Sequence, residues 1–161
     1  MKTYIGIDNG VTGTIGIISE EGNALFQKTP VFKTQDYTKA KKNIARVLSF
    51  NLYELLKGFD PATTKALVER PMINPTRFQA SISASRCLEA ELVVLEVLKI
   101  PYEFCDSRDW QKDMLPKGCK GEELKKASLD IGNRLFPSFK TVKHPDRDGL
   151  LIAEWARRKG L

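Results

Sequence analysis

Histidine, cysteine and long apolar runs are the scarce features of this chain of 161 residues. The three cysteines, Cys87, Cys105 and Cys119, are odd in number, form no CxxC pair and have no histidine cluster near them. That pattern argues against a zinc site and a disulfide framework, and suits reduced thiols in a cytosolic protein. No apolar run approaches the roughly 20 residues of a membrane span. The opening Met1-Lys2-Thr3-Tyr4-Ile5 reads as a strand, without the long apolar stretch of a signal peptide. A soluble intracellular protein with no membrane partner is therefore expected. Internal repeats, low-complexity tracts and Pro/Gly/Ser-rich linkers are also missing, so residues 1–161 are expected to form a single domain. Acidic residues fall short of basic ones, 20 against 26, and the resulting +6 favours polyanionic partners without naming one.

What is present reads as alternating strands and helices. Tyr4-Ile5-Gly6-Ile7 runs into Asp8 and the Asn9-Gly10 turn. Thr14-Ile15-Gly16-Ile17-Ile18 follows, and Glu21-Gly22-Asn23 turns the chain into Ala24-Leu25-Phe26. These predict three antiparallel strands in a meander. From 37 to 56 the apolar residues Ile44, Val47, Leu48, Leu52, Leu55 and Leu56 recur at three and four, which predicts a helix. Ala66-Leu67-Val68-Glu69 reads as a buried strand stopped by Pro71. Helices are expected over 78–98 and 124–136, a strand over 100–104, and a last helix opened by Pro145 and running to 158. The order predicts an α/β fold with a mixed five-stranded sheet, three antiparallel strands then two parallel ones, flanked by helices.

Three carboxylates fall where strands or helices end, and each admits two readings. Asp8 closes the first strand beside small residues, either as a ligand-facing carboxylate or as an Asx turn. Glu69 ends the buried strand, as a site residue or as half of a surface ion pair. Asp148 precedes Leu150-Leu151-Ile152-Ala153, as a site residue or as a favourable charge at a helix N-terminus. Together they suit phosphodiester hydrolysis, which benefits from two metals about 4 Å apart, and Mg²⁺ needs few protein oxygens to hold it. His144, four residues before Asp148, is a ligand, a general base or merely the helix cap. Asp146 competes for the same role, although a helix starting at Pro145 would turn it to another side from Asp148.

Three segments of the chain together carry a resemblance. Ile5-Gly6-Ile7-Asp8-Asn9-Gly10-Val11-Thr12-Gly13 resembles the first strand of RuvC-like Holliday-junction resolvases, with its metal-binding aspartate. Leu67-Val68-Glu69-Arg70-Pro71 is similar to the second motif, a strand ending in the catalytic glutamate. His144-Pro145-Asp146-Arg147-Asp148-Gly149-Leu150-Leu151-Ile152-Ala153 is similar to the last. Arg86 and Glu89, Trp110, the stretch from Leu124 to Ser128 and Leu135-Phe136-Pro137 also fit, particularly the short bacteriophage-like members. The resemblance implies an RNase H-like fold, dependence on two Mg²⁺ or Mn²⁺ ions, and a homodimer that nicks opposed strands of a four-way DNA junction. It implies Asp8, Glu69, His144 and Asp148 as catalytic residues and metal ligands. It also implies a cytoplasmic protein, in a bacterial cell or in the host if phage-encoded. Asn9 stands where proline is common, and His144 where many members have aspartate.

Lysine and arginine clusters supply phosphate contacts. Lys117, Lys120 and Lys125 lie in a basic segment loosened by Gly118 and Gly121, and the resemblance points to Lys125 as the residue reaching the scissile phosphate. Arg77, Phe78 and Arg86 follow the Glu69 strand, with Phe78 suited to stacking on an unpaired base. Lys39 to Lys42 read as solvated surface. Leu88, Leu92, Leu95 and Val97 form a stripe that serves either a dimer interface or the core. Rival functions are an RNase H-fold nuclease on RNA or other branched DNA, and a junction-binding protein without catalysis. A sugar-kinase-like ATPase, suggested by the glycines around Asp8, needs a second large domain that 161 residues do not provide.

Overall fold

The computed structural model describes all 161 residues. Seven strands and five α-helices follow in the order β1 (Thr3–Ile7), β2 (Thr14–Ser19), β3 (Ala24–Lys28), β4 (Val31–Gln35), β5 (Asn43–Val47), α1 (Ser49–Leu56), β6 (Thr64–Glu69), α2 (Phe78–Val97), β7 (Tyr102–Cys105), α3 (Ser107–Met114), α4 (Glu122–Leu135) and α5 (Asp148–Lys159). Five strands form the main sheet in the order β3-β2-β1-β6-β7. The first three pair antiparallel, and β6 and β7 join parallel to β1, as expected.

Alternation along the strands sends side chains to two faces. Ile5, Ile7, Ala66 and Val68 pack with Leu52 and Leu56 of α1 and with Cys87, Val94 and Leu95 of α2. Tyr4 and Leu67 go the other way, against Trp110 and Met114 of α3 and Leu151, Ile152 and Ala156 of α5. Helices thus cover both faces of the sheet. No helix is long and apolar enough to cross a membrane.

The approach of α5 is set by missing side chains. Gly6 and Gly16 are cross-strand partners. A Cβ on Gly6 would collide with the Gly149 carbonyl and the Ala153 amide, and one on Gly16 with the backbone of Gly149 and Leu150. The Gly149 amide donates to the buried Thr14 hydroxyl at 2.9 Å. The first turn of α5 therefore rests directly on backbone, beside the end of β1.

Two expectations are corrected. Residues 37–56 are not one helix but the end of a β4–β5 hairpin followed by the short α1. Asp36 reverses the chain, its Oδ1 accepting from the Thr38 amide (3.1 Å), the Thr38 hydroxyl (2.7 Å) and the Lys42 amide (3.2 Å). The apparent helical spacing straddles a boundary, since Ile44 and Val47 belong to a strand and Leu52 and Leu56 to a helix. The last helix starts at Asp148, not at Pro145, because the preceding carbonyls are drawn onto a buried arginine described below. A further helix, α3, covers residues for which no helix was expected; Trp110 and Met114 are its buried face. The α2 stripe is mostly core: Leu95 is buried, Leu88 and Leu92 pack against the same cluster, and Val97 is exposed.

Candidate active site at the end of the sheet

Asp8 is the first residue beyond β1, and its amide donates to the Thr14 carbonyl at 3.0 Å. Glu69 ends β6. Because Ile7 pairs with Val68 in parallel register, Asp8 and Glu69 leave the sheet side by side. Asp148 opens α5, held by the hydroxyl of buried Ser128 on α4, which donates to its Oδ1. Asp146 lies in the extended segment before the helix, and the Asp148 amide donates to its Oδ1 at 3.4 Å. Asp8, Asp146 and Asp148 each bring a carboxylate oxygen within 4.8 Å of the other two.

These acids disfavour one another's charge. Burial, then the charges of Asp148, Glu69 and Asp146, push the Asp8 carboxyl well above its usual range. Burial and Asp148 raise Glu69 to about 7, against the Trp110 indole and Ser107 hydroxyl of α3, which favour its charge. The indole N–H nevertheless makes no close hydrogen bond. Burial and Asp146 raise Asp148 to about 6, opposed by Ser128, Lys125 and His144. A half-buried, all-oxygen donor set with repelling charges fits a hard divalent cation, which would stabilise the ionised form of each carboxylate.

His144 contributes differently. Its Nε2 lies 3.1 Å from the Thr12 carbonyl, and its Nδ1 lies 3.2 Å from the Asp146 carbonyl and 3.2 Å from Asp146 Oδ1. Both ring nitrogens are engaged, so the imidazole ties the turn after β1 to the segment carrying Asp146. Asp146, expected to compete with His144 for the same role, stands inside the acidic group.

A cavity of 480 Å³ opens over the carboxylates, with Lys28, Thr29 and Lys125 on its wall. Lys125 is exposed on α4. Lys117 and Lys120 are exposed in the α3–α4 connection, and Arg77 and Phe78 are exposed at the start of α2. Arg86 is half-buried and faces β5 across a second cavity of 340 Å³, which shares Val11 with the first.

Arg147 and Glu91 escaped the sequence reading. Arg147 is fully buried, with its guanidinium 5.1 Å from the Phe26 ring. Its Nε donates to Asn133, and its two terminal nitrogens to the carbonyls of His144, Asp146, Phe139 and Val142. A charged residue between two acids resembles a surface ion pair, so only the fold reveals it. Glu91 is fully buried on α2 beneath the Asp8 turn, with both oxygens lacking a hydrogen-bond partner. Burial raises its carboxyl to about 8, with the nearby Gly10 amide offsetting part of the rise. An acid within Ala90-Glu91-Leu92-Val93-Val94-Leu95 was the available signal.

Solved structures share this arrangement of elements. Thermus thermophilus RuvC in complex with a Holliday junction substrate superposes with a TM-score of 0.61 at 14% identity, over 99% of this chain and 97% of that one. A second Thermus thermophilus RuvC structure gives 0.60 at 15% identity, over 98% and 96%. The fold is that of RuvC. Neither a protein-family model nor a curated protein sequence matches the chain, so the RuvC likeness is one of backbone architecture, spanning the chain from β1 to α5.

Proposed function

We propose that residues 1–161 form a single RNase H-like nuclease domain that cuts branched DNA, resolving four-way junctions by paired, symmetric, metal-dependent nicks. The observation that carries this reading is the convergence of Asp8, Asp146 and Asp148 within 4.8 Å, with Glu69 beside them, at the end of a RuvC-type sheet. In this reading Asp8, Glu69, Asp146 and Asp148 hold two Mg²⁺ or Mn²⁺ ions. When bound, such ions activate water on one side of a phosphate and stabilise the departing oxygen on the other.

The chain's own residues do the positioning. Glu69, raised to about 7, is protonated in part at neutral pH and would release that proton on binding a cation. Ser128 fixes the rotamer of Asp148, and His144 holds the Thr12 turn against Asp146. Lys125, on the cavity wall, neutralises a non-bridging oxygen of the scissile phosphate. Water adds to phosphorus as one P–O ester bond breaks, leaving one terminus with a phosphate and the other with a hydroxyl. Arg77, Phe78, Arg86, Lys117 and Lys120 extend the DNA surface. A homodimer places two such sites on opposed strands. The protein works in the cytoplasm.

The test is cleavage of a labelled, immobile four-way junction beside a matched linear duplex, with and without Mg²⁺ or Mn²⁺. Wild type is expected to nick the junction in symmetric pairs. Asp8→Asn is expected to cut slower by about 100-fold or more, since even residues that only support metal ligands are worth roughly 10–100-fold. Tight junction binding without cutting in either metal would leave a binding protein. Equal attack on linear DNA, or preference for RNA, would leave another nuclease.

A further inference from the structure

The β4–β5 hairpin stands outside the main sheet, and the chemistry above makes no use of it. Its base lies at the rim of the acidic cavity: Lys28, Thr29 and Val31 line that cavity, and Val31 pairs with Val47 at the start of the hairpin. Four residues further, Gln35 pairs with Asn43, a distance of about 13 Å at roughly 3.3 Å per residue. The tip beyond carries Tyr37, which is 98% exposed, among Lys39, Lys41 and Lys42. An exposed aromatic among lysines is a mixture that suits nucleic-acid surfaces.

The charge of the hairpin is more telling than its shape. Residues 28–46, which add Lys28 at the end of β3 to the hairpin, contain six basic side chains and one acid, Asp36, a net +5 out of +6 for the whole chain. Asp36 is turned onto its own loop, accepting from Thr38 and Lys42. None of the six basic residues forms an ion pair, whereas Lys57, Lys65, Arg134 and Arg157 elsewhere do. Solvated surfaces ordinarily mix both signs. On its inner side the hairpin presents Arg46 to a cavity shared with Arg86, which meets the acidic cavity at Val11. A basic path therefore leads from the carboxylates to the tip.

We propose that this hairpin is a clamp for the DNA backbone, with Lys39, Lys41 and Lys42 gripping phosphates of one duplex arm. At 3.4 Å per base-pair step, the grip falls roughly four steps or more from the cut. This inference rests on the reading of the chain as a DNA-cutting enzyme and adds to it the surface that holds the arm.

The test compares wild type with a triple variant, Lys39→Gln, Lys41→Asn and Lys42→Gln. Asparagine is chosen at 41 because that residue has φ +44, a conformation asparagine tolerates. Binding to a four-way junction, a linear duplex and single-stranded RNA is followed by fluorescence anisotropy at several salt concentrations, with Ca²⁺ replacing Mg²⁺. A thermal melt of each protein reports folding. A control removes three lysines at the opposite end of the sheet, Lys2→Gln, Lys57→Gln and Lys99→Asn. Each lost phosphate contact lowers the slope of log affinity against log salt by about 0.9, so the triple variant should lose about 2.7. Its affinity deficit on DNA should then shrink about 40-fold between roughly 50 and 200 mM salt, while the control keeps the wild-type slope. An unchanged slope in a folded variant, an equal loss in the control, or a deficit on RNA alone overturns the clamp. Wild type that binds DNA without cutting it defeats the nuclease reading, and the slope still decides the clamp. Wild type that binds no DNA defeats both.

Discussion

The guanidinium of Arg147 is spent on neutral acceptors. Four backbone carbonyls and the Asn133 amide oxygen take its hydrogen bonds, and its own amide donates to Ser128, whose hydroxyl in turn holds Asp148. One side chain thus shapes the stretch that carries His144, Asp146 and Asp148. A lysine keeps the charge but not the planar fork needed to serve several acceptors at once. Arg147→Lys is expected to lose about 2–4 kcal/mol of stability, because buried carbonyls are left without donors. It should also weaken Mg²⁺ binding by about 10-fold or more, as loss of support behind metal ligands does. Urea unfolding and calorimetric titration with Mg²⁺ measure the two. Lost stability with unchanged metal affinity would make Arg147 a packing residue only.

At the scale of elements, the pairing of Gly6 with Gly16 lets α5 lie on bare backbone, and so fixes how far Asp148 stands from Asp8. Gly16→Ala should lift the first turn of α5 from the sheet, costing about 1–3 kcal/mol or more as overpacking does. Cleavage should fall with it even in protein that remains folded. A variant with wild-type melting temperature and wild-type cutting would remove this role. The strands and the long helix were legible in sequence because period-two alternation and glycine turns act locally: β1, β2, β6 and α2 lie where their residues predict. The hairpin was not, because Ile44 and Leu52 share a spacing by coincidence across two elements, and the reversal depends on one side chain, Asp36. Asp8, Glu69 and Asp148 could be picked out because each sits at an element's end. Asp146 could not be placed without knowing that α5 begins at Asp148, and that start depends on contacts of Arg147 with residues 139 and 142, which no local pattern records.

For the whole molecule, the acidic group is a standing cost to stability. Glu69 rises from 4.5 to about 7 on folding and Asp148 from 3.8 to about 6. A carboxyl raised in the folded state stabilises it fully below the unfolded value, and that contribution is lost as pH climbs through the folded one. Metal-free protein should therefore melt lower as pH rises from about 4 to 7. The loss for Glu69 alone is on the order of 3 kcal/mol, or about 10 °C for a domain of this size. Saturating Mg²⁺ should flatten the profile, because the ionised carboxylates then have a partner. Melting curves in chelator and in Mg²⁺ across that range measure this, and a chelator curve that is level or rises with pH would contradict it. The distribution of charge has a kinetic consequence as well. With five of six net positive charges between Lys28 and Arg46 and the half-buried acids at the hairpin's foot, the molecule is an electric dipole whose positive pole projects into solvent. A polyanion at long range meets a turning field before it meets a surface. For the nuclease proposed above, encounter would then be oriented: the hairpin would be drawn in first, and the carboxylates, which would repel phosphate until cations filled them, would be brought to the strand by rotation about that first point of contact.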